Sequence, residues 1–255
     1  IGYLRLIFKI KEIPEEYFPY LGVLKNLFCN LDTEHYSYGE LCNEINLVTG
    51  EIFVAQNNYG NVKDADSYTM TLEFCTKALY DNLERAIALM EEMILTSSFG
   101  DEKRLREVLA ENNSQAREYM MQAGHAVAVG RALSYGSKKD AVDEELGGIT
   151  QYRFTCKLEK QFEEEKEKLT ASLRELCKMI FRPENLMLDF TGEKEALLKL
   201  ESTVEGLKKK LYTCPVEKGS YVPAVEDKRE GFTTSNQVLF VCRAGNFRRK
   251  GLPYK

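Results

Sequence analysis

Two histidines, His35 and His125, and seven cysteines, Cys29, Cys42, Cys75, Cys156, Cys177, Cys214 and Cys242, are the residues of this chain best suited to bind metal or act as nucleophiles. A catalytic zinc draws about three protein ligands, commonly two from one helix and a third from elsewhere. Neither histidine has a second histidine at helical spacing, and both HExxH and HxxEH are absent. His125 lies in "YMMQAGHAVAVGRALSYGS", among small residues. That context reads as a close-packed helix with a structural or partner-facing histidine, and Arg131 is available to a carboxylate. The cysteines are odd in number and form no CxxC pair. A disulfide framework or a zinc knuckle has a different pattern, so reduced thiols are expected. Nucleophilic catalysis also needs an orienting base and an oxyanion hole. GxSxG, the P-loop and GxGxxG do not occur, and "GFTTS" and "GSKKD" are polar turns. The carboxylate-rich run "EKQFEEEKEK" is a solvated helix face with supporting pairs such as Glu164 to Lys168. The expectation is therefore no catalytic, cofactor-binding or metal-binding residue in this chain.

The surrounding elements follow from periodicity. "YLRLIFKIK" alternates apolar and cationic residues, as a strand with one wet face does. Pro14 opens a helix in which Phe18, Leu21, Leu24 and Phe28 share a face. Ser37 and Glu40 have capping-box spacing for a helix through Leu47, closed by Gly50. "EIFVAQN" and "DSYTMTLEFCT" form an antiparallel hairpin, with Met70, Leu72 and Phe74 inward and Thr69, Thr71 and Glu73 on a solvated face. Asp81 caps the next helix, striped by Leu83, Ile87, Met90 and Ile94. Long helices are expected over about 102–133 and 151–181, with Leu105, Val108, Leu109, Ala116, Tyr119 and Ala123 inward in the first. The strand "NLMLDF" and one more amphipathic helix complete this part. Strands and helices do not alternate, so the fold class is α+β: an antiparallel sheet with helices packed on one face, plus a long helical insertion.

Composition bounds the rest. With 255 residues, 44% of them hydrophobic, the chain can bury a substantial core. A net charge of −5 without a basic block argues against nucleic acid. No apolar run approaches the ~20 residues a membrane span requires, and the opening residues are not a signal peptide. The chain starts at Ile1 already in a strand pattern and is expected to be cut from something longer.

Several stretches, taken in order, resemble the second half of presequence proteases, a branch of the pitrilysin/insulinase superfamily of zinc metallopeptidases. They are "YLRLIFKIKEIPEEYFPYLGVLKNLF", "DTEHYSYGELCNEINLVTGEI" and "QAGHAVAVGRALSYGS…EELGGITQYRFTCKLEKQF". The block around Ala123-Gly124-His125, Arg131-Ala132 and Gly147-Gly148 resembles part of the peptidase-associated region, and "SNQVLFVCRAGNF" resembles the strand that opens the fourth domain. The resemblance implies a third-domain-like, two-layer metallopeptidase-homology module over 1–211 with a helical hairpin over about 80–181. A linker over 212–235 and the beginning of a truncated fourth domain over 236–255 follow. It implies a clam-shaped parent whose zinc, held by an HxxEH helix and a distal glutamate in the first domain, activates water against a peptide carbonyl. A distant arginine and tyrosine of the last domain complete that site, beyond the end of this chain. Implied partners are the N-terminal catalytic half of the same polypeptide and unfolded peptide substrates, with no nucleic acid and no membrane. The implied cofactor is zinc in that other half and none here, and the expected location is intracellular, in the cytoplasm. His125 is left without a zinc role, in a noncatalytic half that shapes the chamber.

Two other readings stand beside this one. A stand-alone helical interaction scaffold without enzymatic activity would use the charged helix near 157–178 as its surface. A self-contained cysteine hydrolase would need a thiol of depressed pKa beside a positive group in a cleft. The segment "QVLFVCRAG" is expected to be mobile or to borrow a sheet edge, because an unpaired apolar strand tends to find one.

Overall fold

The structure is a computed structural model that describes residues 1–235, 237–249 and 251–252. Four strands form one antiparallel sheet in the order β2-β3-β1-β4. They are β1 (Gly2–Ile10), β2 (Glu51–Gly60), β3 (Tyr68–Ala78) and β4 (Leu186–Thr191). Between β1 and β2 lie α1 (Phe18–Leu27) and α2 (Tyr38–Val48). Between β3 and β4 run α3 (Leu83–Thr96), α4 (Glu102–Gln122), α5 (Gly124–Ser134), α6 (Lys138–Gly147), α7 (Ile149–Lys160) and α8 (Phe162–Ile180), and α9 (Lys194–Lys210) follows. The fold class is α+β, as the pattern predicts. Among the described residues no helix is long and apolar enough to cross a membrane.

Period-two alternation divides the sheet into two faces. Leu4, Leu6 and Phe8 of β1 pair with Thr76, Phe74 and Leu72 of β3, and the apolar members of this set are buried beneath the helices. At the centre Phe8, Phe28, Phe74 and Phe181 meet edge-on, Phe8 and Phe181 at 5.0 Å and Phe28 and Phe74 at 5.0 Å between ring centres. Edge-to-face aromatic pairs add to the burial energy of rings this large. The cluster joins β1, β3, the end of α1 and the end of α8, elements far apart in sequence.

Local signals are borne out where the side chain stays with its own helix. Ser37 and Glu40 close the capping box of α2: the Ser37 N–H donates to Glu40 Oε2 (2.9 Å), and the Glu40 N–H donates to Ser37 Oγ (3.4 Å). They fail where another element competes. Asp81 does not cap α3; residues 80–82 form a 3-10 turn, and Asn82 precedes the helix with its side-chain amide donating to Val48 O (2.9 Å).

Neither long helix is continuous. The first breaks at Ala123 (φ −115°, ψ 38°), with Gly124 starting α5, and the second breaks at Gln161 (φ −107°, ψ 29°). Across the second break α7 contacts α6, α4 and α1, whereas α8 contacts α1 and β1. In the last turns of α4, up to the first break, the expected inward face is lost, since Tyr119 is exposed and Ala116 and Ala123 are only half-buried. The expected strand at 236–245 begins at Asn236, outside the described residues; residues 237–249 form no strand, having no ladder partner among the described residues.

Candidate functional site

His35 sits in the loop that leads into α2, where its backbone N–H and its Nδ1 both meet Glu92 of α3, at 2.9 and 3.1 Å. His125, in the first turn of α5, is exposed and lies against the ring of Phe240 at 5.7 Å. The two histidines thus have different neighbours. Among the described residues no three His, Cys, Asp or Glu side chains converge as a metal set would require, so this donor set does not fit the zinc that the resemblance implies for the parent. Burial pushes the thiol of Cys29 up to about 12 and that of Cys75 to about 11, and raises Cys177 further. These are inert thiols, since thiolate character makes a cysteine reactive.

The sequence pattern places Thr71 and Glu73 on a solvated face, and the structure overturns that. Glu73 is 1% exposed and Thr71 3%. Tyr59 Oη donates to Glu73 Oε1 (2.8 Å) and Thr71 Oγ1 donates to the same oxygen (2.7 Å). Arg5 lies 3.6 Å from Glu73 and donates through Nε to Asp189 (2.8 Å). This belt draws one or two residues from every strand: Tyr59 from β2, Thr71 and Glu73 from β3, Arg5 from β1 and Asp189 from β4. A buried carboxylate is tolerable only with such partners. Asp189 raises the pKa of Arg5 through their hydrogen bond, and burial followed by the contact with Glu73 raises that of Tyr59. Around the belt Tyr3, Phe53, Tyr59 and Met187 remain exposed on the face away from the helices. All of the belt's acids and bases are engaged with one another, which makes it a brace for the sheet. Polar residues at alternate positions of β1 and β3 were the signal; their pairing across four strands lay outside any local window.

The stretch around His125 resolves into a second polar network. Arg131 of α5 donates to Glu144 of α6 (3.0 Å) and to Thr150 Oγ1 (3.1 Å). Glu144, 6% exposed, also accepts the Thr150 N–H (3.1 Å), so its carboxylate caps the first turn of α7. Gly148 makes this approach feasible: a Cβ there would lie 2.0 Å from Glu144 Oε2. Arg131 and Gly148 are therefore parts of one α5–α6–α7 junction, joined through Glu144. The remainder of α5 corrects the close-packed reading. Only Ser134 of this helix is buried, Val129 and Leu133 are exposed, and a Cβ at Gly130 would meet nothing. A shallow cavity of about 630 Å³ on α7 is rimmed by Arg153, Lys157 and Lys160 beside Cys156.

Residues 1–158 match the peptidase-associated family of subfamily C in peptidase family M16, and the chain belongs to that family. Protein HypA of Clostridium perfringens is 29% identical over 254 residues, covering 100% of this chain and 26% of HypA. The mitochondrial presequence protease of Schizosaccharomyces pombe is 29% identical over 180 residues, covering 70% of this chain and 18% of that protein. The chain thus spans about a quarter or less of these relatives. Among solved structures, the peptidase M16 inactive domain from Pseudomonas fluorescens superposes with a TM-score of 0.52 at 16% identity, covering 88% of this chain and 48% of that one. A conserved protein from Enterococcus faecalis does so with a TM-score of 0.55 at 12% identity, covering 87% and 49%. The fold is therefore that of peptidase M16 inactive domains, in a presequence protease-like branch.

Proposed function

We propose that this chain is a noncatalytic domain of a zinc-dependent oligopeptidase and forms part of the wall of its peptide-degradation chamber. The observation that carries the reading is membership of the peptidase-associated family over residues 1–158. The sheet supports it, with one face sealed by helices and the other presenting Tyr3, Phe53, Tyr59 and Met187. In this reading residues 1–211 are the domain, 212–235 the linker and 236–255 the opening of a following domain. The partner is the catalytic half of the same polypeptide, which brings the zinc, and the substrates are unfolded peptides in the cytoplasm. Conformational closure of the two halves would exclude water and position the peptide.

Zinc analysis and a peptide-cleavage assay on one preparation test the proposal. The chain alone should hold zinc well below one per chain and cleave nothing, and it should bind the HxxEH half of the parent. One zinc per isolated chain with cleavage would overturn it. A stand-alone interaction scaffold is the second reading, favoured by the exposed Val129 and Leu133 of α5; failure of the catalytic half to bind this chain would leave that reading in place.

A further inference from the structure

The described residues of 212–249 contain no helix or strand, yet they are tied to the body at successive points. The Gly219 N–H donates to Glu12 O (2.9 Å), and Tyr221 donates to Glu145 (3.0 Å) with its ring against Phe18 at 4.8 Å. Pro223 is buried just beyond. The chain then runs mostly exposed until Glu230, which accepts Arg131 Nε (2.8 Å) and the Tyr135 hydroxyl (2.5 Å). Phe232 follows between two guanidinium groups, Arg131 at 5.8 Å and Arg153 at 5.5 Å from its ring. Further along, Phe240 rests on His125 and Asn246 donates to Gly136 O (3.0 Å).

The receiving side is braced by its own contacts. Arg131 is held from behind by Glu144 and Thr150, which aims its remaining N–H groups at Glu230. Tyr135 adds a donor and Arg153 a second cation. A fixed guanidinium, a hydroxyl and a second guanidinium complement an acid followed two residues later by an aromatic ring. The nearby Tyr221–Pro223 anchor is packed against the body, whereas Glu230 and Phe232 are held at the surface by ionic and cation–π contacts, which salt weakens.

We propose that the notch formed by Arg131, Tyr135 and Arg153 is a docking site for the chain's own Glu230–Phe232 segment, which latches residues 224–235 to α5–α7 and can release them as a loop between the anchor at Pro223 and the far ties of Asn246 to Gly136 and Arg249 to Asp66. Release uncovers Arg131 and Arg153 while the sheet and its helices stay intact. The inference concerns this chain's own contacts and does not depend on the chamber reading.

The chain contains no Trp, so Phe232→Trp supplies a single emission reporter that keeps the aromatic contact. Acrylamide quenching of the introduced indole should be low in dilute buffer and rise with NaCl. Adding Glu230→Gln should raise the free-to-latched ratio about tenfold, as loss of a charge-assisted pair does. Arg153→Ala, which leaves Glu144 untouched, should act in the same direction. The helical melting temperature of every variant should stay at that of Phe232→Trp. Quenching that ignores salt and both substitutions would overturn the latch. Quenching that rises only together with a lower melting temperature would also overturn it, by making Glu230 part of the folded body.

Discussion

Gly148→Ala tests the junction at the heart of the helical insertion. Gly148 has φ −93° and ψ −157°, which any residue tolerates, so the substitution carries no left-handed strain. Its cost is steric. The new Cβ would lie 2.0 Å from Glu144 Oε2 and 2.9 Å from Glu144 O. The carboxylate must leave, and with it go the Thr150 N–H bond and the Arg131 pair. Hydrogen bonds to charged groups are worth about 1.5–3 kcal/mol each, so a loss of about 2–4 kcal/mol is expected after partial rehydration of Glu144. For a chain of this size each kcal/mol lowers the melting temperature by about 2–4 °C, giving a drop of about 4–16 °C by calorimetry. Glu144→Ala removes the clashing carboxylate and leaves only the approach to Glu144 O, so the double variant should melt closer to Glu144→Ala than additive effects would place it. Gly148→Ala melting within about 2 °C of the parent, or strictly additive single effects, would refute the junction as described.

Other expectations concern separate parts of the molecule. Glu73→Ala strands Tyr59, Thr71 and Arg5 without their shared acceptor, and should cost about 2–3 kcal/mol in urea unfolding, whereas Glu73→Gln, which keeps an acceptor, should cost less. For Glu92, burial pushes the pKa up, but the bond from the His35 N–H, helped by Thr33, Thr96 and the His35 ring, outweighs it and holds the value below the usual range. A depressed carboxyl contributes stability above its unfolded pKa that is lost as pH falls through the folded one. Glu92→Gln should therefore melt below the parent near pH 7, with the gap closing below about pH 4, as linkage requires; a gap that persists at low pH would contradict this. With a thiol reagent followed by mass spectrometry, exposed Cys42 and Cys214 should be modified in the native state, while Cys29 and Cys177 should react only after denaturation.

Local patterns determined a great deal about this chain by themselves. Alternation in "YLRLIFKIK" and "SYTMTLEF" specified strands and their apolar faces, and the Ser37–Glu40 spacing specified a helix start, because each depends on neighbours within a few residues. The α+β class, the absence of familiar catalytic motifs and the resemblance to the presequence protease branch came from the same level. Tertiary structure decided whatever depends on partners far away in the chain. Glu73 became buried because β1, β2 and β4 brought Arg5, Tyr59 and Asp189 to its side, and desolvation then demanded those bonds. The two long helices broke at Ala123 and Gln161, where α4 gives way to α5 and α7 to α8. Arg131, Glu144 and Gly148 became one device only when α5, α6 and α7 folded together, and Glu230 joined it from about a hundred residues further on. Periodicity records which face of an element is apolar; it does not record which distant residue will meet a polar one.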